Sequence, residues 1–302
     1  MSPILLIGQK GQVAWELQRA LPPFGPVITV GRESEPAVDL ACADTFVPLV
    51  REIRPRLIVN AAAYTAVDQA EEEPELAEKI NAIAPGILAE EAKRLGAGLI
   101  HYSTDYVFSG EAGKPYRETD PVAPQGVYGR TKLAGERAIQ ATGTSHWILR
   151  TAWVYGARGR NFLLTMLRLM RERERIGVVA DQTGSPTWSR LIAEATAQML
   201  ARDRMTIESH SGIYHLTCAG QTHWHGFAAA IRRRAIELNL LPQEAARVAP
   251  IATRDYPTAA RRPGYSVLDT RRLTDTFAIH LPHWERALDL CLEDLASCRT
   301  FQ

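Results

Sequence analysis

A threonine, a tyrosine and a lysine carry the clearest chemical signal in the sequence. Residues 102–110 read YSTDYVFSG, and VYGRTK follows at 127–132. Tyr128 and Lys132 stand four residues apart, which on a helix puts both side chains on one face. Reducing a carbonyl requires a proton donor at its oxygen, a means of easing release of that proton, and a hydrogen bond that fixes the carbonyl. A phenol holds its proton to about pH 10 unless nearby positive charge stabilises the phenolate. Thr104, Tyr128 and Lys132 therefore make a candidate catalytic set of hydroxyl, proton donor and cation. The same Tyr–Lys spacing also occurs as an ordinary exposed helix pair, so its meaning depends on the elements that position it.

Those elements alternate. Short apolar runs at Ile4–Ile7, Val27–Val30, Leu57–Ala61, Gly98–Ser103 and Trp147–Thr151 read as strands. Between them QVAWELQRAL, TFVPLVREI, ELAEKINAIAPGILAEEAKRLG and KLAGERAIQATG have helical apolar spacing, the last two closing on glycine. The alternation predicts βαβ units and a parallel sheet whose strand C-termini line one rim, where open α/β sheets bind ligands. Thr104 ends one strand on that rim. After residue 151 the rhythm breaks. NFLLTMLRLMRERE and SRLIAEATAQML read as helices, ARDRMTIESHSG as a polar crossing segment, and a smaller second lobe is expected.

A glycine turn supports a dinucleotide on the same rim. PILLIGQKGQVAWEL places Gly8, Gly11 and Ala14 after a strand and at the start of a helix, where free N–H groups and the positive dipole end face a pyrophosphate. Gly8, Gln9, Lys10, Gly11, Gln12 and Val13 are the candidate contacts. The spacing G-x-x-G-x-x-A also suits a tight turn without ligand. At the end of the second strand Arg32, with Ser34, stands where an acid would bond a ribose 2′-hydroxyl; Arg32 suits a 2′-phosphate and tilts the cofactor towards NADPH, although a solvated Arg reads the same way. Asp39 and Leu40 end a short candidate third strand facing the adenine. Ala62, Ala63 and Tyr64 of NAAAYT end the next one, where small side chains let a cofactor lie against the backbone or simply serve helix–sheet packing.

Composition excludes other classes. Across 302 residues, 35 basic and 34 acidic side chains leave a net charge of +1, without the basic surplus expected of a nucleic-acid partner. No apolar stretch approaches the roughly 18 residues that cross a bilayer. The first strand begins at Ile4, leaving no room for a leader, so a cytoplasmic location is expected. Four cysteines have no C-x-x-C spacing. The His223-Trp224-His225 triplet has no accompanying ligands, so it reads as a polar helix start rather than a zinc site.

Several longer stretches resemble the extended short-chain dehydrogenase/reductase superfamily and, within it, the dTDP-4-dehydrorhamnose reductases: GQKGQVAWELQRAL, VNAAAYTAVDQAEEEPELAEKIN, STDYVFSG, YGRTKLAGE, ILRTAWVYG, NFLLTMLRL, DQTGSPTW, GIYHLTCAG and RRPGYSVLDT. The resemblance covers nearly the whole chain. It implies a Rossmann-type doubly wound parallel sheet (1–150, binding NADPH or NADH) and a smaller α/β substrate-binding lobe (151–302), with part of 178–208 returning to the first. It implies that Thr104 bonds the C4 carbonyl of a dTDP-sugar, that Tyr128 donates the proton, and that Lys132 holds the nicotinamide ribose and acidifies Tyr128. Asp105 and Tyr106 would line the sugar pocket with Trp153 as an aromatic wall, unless Trp153 is core. Sugar-nucleotide dehydratases of the superfamily carry Glu at the third position of Thr-Asp-x; Tyr106 there favours reduction without dehydration. Other nucleotide-sugar reductases or epimerases keep the same triad, and a relative serves as the regulatory subunit of methionine adenosyltransferase. Some members form homodimers through Mg²⁺ held by glutamates. Glu16 and Glu293 are compatible with that, but Arg190 falls where an acid is expected, so no metal is predicted. Tyr265 replaces Asn in the family's Arg-Pro-x-Asn-Ser.

Overall fold

The computed structural model describes residues 2–203 and 207–299. In chain order the elements are β1 (Ile4–Ile7), α1 (Gln12–Ala20), β2 (Val27–Val30), α2 (Ala43–Ile53), β3 (Leu57–Asn60), α3 (Pro74–Glu78), α4 (Ala84–Leu95), β4 (Gly98–Thr104), α5 (Val127–Thr142) and β5 (His146–Thr151). The second half follows with β6 (Val154–Tyr155), α6 (Phe162–Glu172), β7 (Arg175–Val179), β8 (Thr183–Gly184), β9 (Thr187–Trp188) and α7 (Ser189–Arg202). It closes with β10 (Gly212–His215), β11 (Thr222–His223), α8 (Trp224–Glu237), β12 (Arg247–Ile251), α9 (Arg271–Phe277) and α10 (Trp284–Arg299).

Six parallel strands form the main sheet in the order β10-β5-β4-β3-β1-β2. The order reverses between β1 and β3, the crevice where such sheets take ligands. Both faces are covered, which is why the strands read as unbroken apolar runs. Ile4 and Leu6 point into one core with Leu17 of α1 and Ile192 and Met199 of α7. Leu5 and Ile7 point into the other, with Phe46 of α2 and Leu88 of α4. At roughly 25 cal/mol per Å² of apolar surface, burying each such side chain contributes about 1.5–3 kcal/mol before entropy is counted.

Two readings of the first half change. Val38–Leu40 is irregular chain rather than a strand. Pro36 has no N–H to offer a ladder, and the Val38 N–H folds back to the Gly31 carbonyl at 2.9 Å, closing a loop beside β2. The long helix expected across residues 75–96 is interrupted by a π-helical turn at Lys79–Ile83. Pro85, just beyond it, cannot donate to the Asn81 carbonyl, and the wider turn absorbs that break. α5 crosses at this point through Gly135, where a Cβ would stand 2.1 Å from the Asn81 oxygen. Only glycine allows that approach.

The sixth strand comes from the second half. β10 pairs with β5 over Gly212–His215, and α7 lies against α1 on one face of the sheet. Residues 204–206 of the expected crossing segment lie outside the described residues. A separate core gathers Tyr155, Leu163, Met166, Ile176, Trp188, Phe227, Ile231, Trp284 and Leu288 around the short strand pairs β7–β12, β6–β9 and β8–β11.

Candidate active site

Thr104 is the last residue of β4, and its hydroxyl accepts the Tyr106 N–H at 3.2 Å while donating to Asp105 Oδ1 at 3.1 Å. α5 brings in the other two members. Its first turn is capped from a distance: the Val127 N–H donates to Glu71 Oε1 at 2.7 Å. Tyr128, half-buried in that turn, lies beside the Thr104 side chain and meets Tyr106 edge-on, ring centroids 5.6 Å apart. Burial pushes the Tyr128 phenol up to about 12, the Thr104 bond opposes that, and the Asp105 charge adds to it. The phenol therefore keeps its proton across the neutral range.

Lys132 lies one turn further on and is buried. Its Nζ donates to the Tyr102 carbonyl at 2.6 Å and stands 3.0 Å from His101 Nε2. Burial brings the amine down to about 8, with Glu136 opposing. The amine is thus turned into the sheet, towards β4. Next along the same helix face, Glu136 accepts from Ser103 Oγ at 2.5 Å and from Arg150 Nε and Nη2 at 2.9 and 2.6 Å.

Asp105 is 2% exposed. Desolvation raises its carboxyl to about 6, while bonds from Ser266 and Thr104 oppose the rise, and Oδ2 has no hydrogen-bond partner. Burial also raises the Tyr106 phenol, which bonds Arg262. Arg262 is anchored to Asp68 Oδ2 at 2.8 Å. Trp153, just beyond β5, has a φ of 47° and lies flat on Trp224, centroids 3.5 Å apart and planes 4° apart. His223 caps α8, its Nδ1 accepting the Gly226 N–H at 2.9 Å, so the His-Trp-His triplet starts a helix and aims Trp224 at Trp153. Tyr265 donates to Gln221 Oε1 at 2.9 Å.

The cofactor candidates gather at the rim end of β1. Gly8 has φ +119°, and a Cβ there would meet Ala14 Cβ at 3.1 Å and the Ala61 carbonyl at 3.3 Å. Gly11 is the N-cap of α1 with no side-chain cap and no acid in the first turn. The opening N–H groups, with Gln12 and Val13, are therefore left for an outside anion, and the turn fits a dinucleotide pyrophosphate. Gln12 Oε1 also accepts from Asn161 at 3.0 Å. Gln9 packs under Gly31, and its backbone carbonyl accepts from Gln18 Nε2 at 2.9 Å. Lys10 pairs with Glu33 and Arg32 is exposed. Ser34 is committed to its own loop, accepting from the Gly31 N–H at 3.0 Å. Leu40 is buried in the core and Asp39 bonds the Ala41 N–H at 2.9 Å. Ala62, Ala63 and Tyr64 are half-buried beyond β3. Tyr64 is tied down twice, its N–H to Asn81 at 2.9 Å and its hydroxyl to Glu73 at 2.7 Å.

The acids near Glu16 do not fit a divalent cation. Arg190 bonds Asp294 and lies 3.5 Å from Glu16, so a guanidinium already stands between these carboxylates, while Glu293 accepts from Arg234 at 2.8 Å. The sequence gives no role to Asn60, Glu71, Asn81 or His101, which support the candidate site. The available signal was polar residues at strand ends and inside apolar runs, which periodicity alone does not sort.

The family described as RmlD substrate binding domain matches residues 1–297. A curated dTDP-4-dehydrorhamnose reductase from Burkholderia thailandensis is 48% identical over 299 residues, covering 97% of this chain and 99% of that one. The crystal structure of a dTDP-4-dehydrorhamnose reductase from Clostridium acetobutylicum aligns with TM-score 0.87 at 35% identity, over 97% of this chain and 99% of that one. That of the Bacillus anthracis enzyme, in complex with NADP, aligns with TM-score 0.86 at 34% identity, again over 97% and 99%. With the sheet, the glycine turn and the Thr-Tyr-Lys set converging on one rim, the chain belongs to the RmlD substrate binding domain family, among relatives named dTDP-4-dehydrorhamnose reductase.

Proposed function

We propose that this chain is an NAD(P)H-dependent reductase that converts the C4 carbonyl of dTDP-4-dehydro-L-rhamnose to the hydroxyl of dTDP-L-rhamnose. The observation that carries this is that α5 brings Tyr128 to the Thr104 hydroxyl at the end of β4, with Lys132 one turn beyond, in a chain of this family. A nicotinamide dinucleotide, held by the turn from Gly8 to Val13 and the alanines after β3, supplies the hydride when bound. Thr104 fixes the carbonyl oxygen. Tyr128, protonated throughout the neutral range, gives its proton to that oxygen as charge develops there. Lys132 supplies the positive charge that eases this transfer and binds the ribose. Asp105, Tyr106 and Trp153 line the sugar side, where an indole face suits the C–H surface of a 6-deoxy sugar. Tyr106 offers no acid strong enough to expel water, so the sugar is reduced rather than dehydrated. Exposed Arg32 beside β2 favours NADPH.

The test is loss of nicotinamide absorbance with enzymatically generated dTDP-4-dehydro-L-rhamnose. Tyr128→Phe is expected to lower kcat by about 10²- to 10⁴-fold, the usual worth of a general acid, with dinucleotide binding retained. Wild-type protein that binds the dinucleotide yet leaves this sugar untouched, while turning over a UDP- or GDP-4-ketosugar, would redirect the assignment to another nucleotide sugar.

A further inference from the structure

Lys132 is held from inside the sheet by a short chain of polar groups. Asn60 and His101 are paired in register across β3 and β4, so both side chains stand on the face covered by α5. Asn60 Nδ2 lies 3.2 Å from His101 Nδ1, His101 Nε2 lies 3.0 Å from Lys132 Nζ, and at the far end the Ala62 N–H donates to Asn60 Oδ1 at 3.2 Å. Each of the three side chains is 1% exposed. Burial, reinforced by the Lys132 charge, holds the ring neutral by pushing its pKa well below the ordinary 6.5.

A neutral imidazole has one N–H and one lone pair, so the directions of these bonds cannot vary independently. A charged Lys132 has only protons to offer, and Nε2 must accept. The ring proton then sits on Nδ1, Asn60 must turn its oxygen to meet it, and the Ala62 N–H loses its acceptor. An uncharged Lys132 keeps two N–H groups, one of them on the Tyr102 carbonyl, and gains a lone pair that the ring can meet. Nε2–H then donates to it, Nδ1 accepts from Asn60 Nδ2, and Asn60 Oδ1 keeps the Ala62 N–H. That amide belongs to the alanine stretch along which the dinucleotide is proposed to lie.

We propose that Asn60 and His101 are positioning residues that couple the charge of Lys132 to the orientation of the Asn60 amide beneath Ala62. The use of this coupling in turnover rests on the reductase reading above; the coupling itself does not. The other charged group acting on Lys132 is Glu136, one turn further along α5, whose charge is already engaged by Arg150 of β5 and which also accepts from Ser103 of β4.

The first test is NMR of protein carrying ¹⁵N-labelled histidine, the His101 ring signals being assigned by their loss in His101→Gln. The lone pair is expected on Nε2 at neutral pH and on Nδ1 once Lys132 has lost its proton, near pH 8. In Lys132→Met the pH dependence should vanish. A single His101 tautomer from about pH 6 to 10 would overturn the proposal. In the second test His101→Phe removes the acceptor from the ammonium, moving the alkaline limb of kcat about one to two pH units lower, the size of a hydrogen bond to a charged group. His101→Gln, whose amide oxygen accepts in the ring's place, should restore most of that shift. Equal loss of kcat at every pH in both variants would mark a merely structural role and refute the coupling. Tautomer exchange without turnover of the dTDP-sugar sinks only the reductase reading, and turnover without exchange sinks only the coupling.

Discussion

Replacing Asp105 by Asn should stabilise the protein, by an amount that depends on pH. The carboxyl is 2% exposed, and its proton is held to about 6 rather than the ordinary 3.8, chiefly by desolvation and against bonds from Ser266 and Thr104. The folded state therefore binds this proton more tightly than the unfolded state. The associated stability is complete below about 3.8 and is lost as pH rises through about 6. At about 1.4 kcal/mol for each tenfold change in proton affinity, the ionised carboxylate costs the fold about 3 kcal/mol at pH 8 and roughly half that at pH 5. Asn keeps an acceptor for Thr104, places an amide where the unpartnered oxygen stood, and does not titrate. Urea unfolding of both proteins at the two pH values measures the gap, with shared ionisations cancelling. The Asn variant should be more stable at pH 8 by about 3 kcal/mol, the advantage shrinking by about half at pH 5. A gap that does not change between the two would show that Asp105 is ionised in the fold at both, and the desolvation argument would fail.

Other consequences can be checked as directly. Glu136→Gln removes the charge from a buried pair that also holds Ser103, leaving Arg150 uncompensated; equilibrium unfolding should show a loss of about 3–5 kcal/mol. Trp224→Ala takes away the ring on which Trp153 lies flat. Such a stack is worth about 0.5–1.5 kcal/mol, so KM for the dTDP-sugar should rise about 2- to 10-fold with dinucleotide affinity unchanged; an equal rise in both would place Trp153 away from the sugar. Because Arg190 already bridges Glu16 and Asp294, removal of divalent cations with EDTA should leave the thermal midpoint unmoved, and a fall of several degrees would mean that another metal site supports the fold.

The strands of the first half were legible because a parallel strand buried on both faces leaves an uninterrupted apolar run, as at Ile4–Ile7 and Leu57–Asn60. The short strand expected to end on Asp39 and Leu40 is instead a loop, in which buried Val38 and Leu40 are held by backbone bonds. β10 escaped notice because it is four residues long, follows a polar segment and lies about sixty residues after the strand it pairs with. At the candidate site, the grouping of Thr104, Tyr128 and Lys132 was legible from residue type and spacing. Their support was not. His101 sits within an apolar strand, and only the register that sets it beside Asn60, together with α5 crossing above, gives it a partner. The direction of the Lys132 amine, towards β4, is likewise a property of three elements and of no local pattern.

The edge strand β10 bears on how the chain reaches its native state. Trp147 and Leu149 of β5 lie in a core completed by Ile192 and Met199 of α7, Tyr214 of β10 and Phe277 of α9. A growing chain that has produced all five earlier strands still shows water an apolar face and an unpaired β5 edge until residues beyond 212 emerge. Such a species is prone to self-association, and contacts spanning so many residues slow the final closure. Residues 1–150 expressed alone would stop at that stage, so the main sheet and the segment that completes it fold as one cooperative unit.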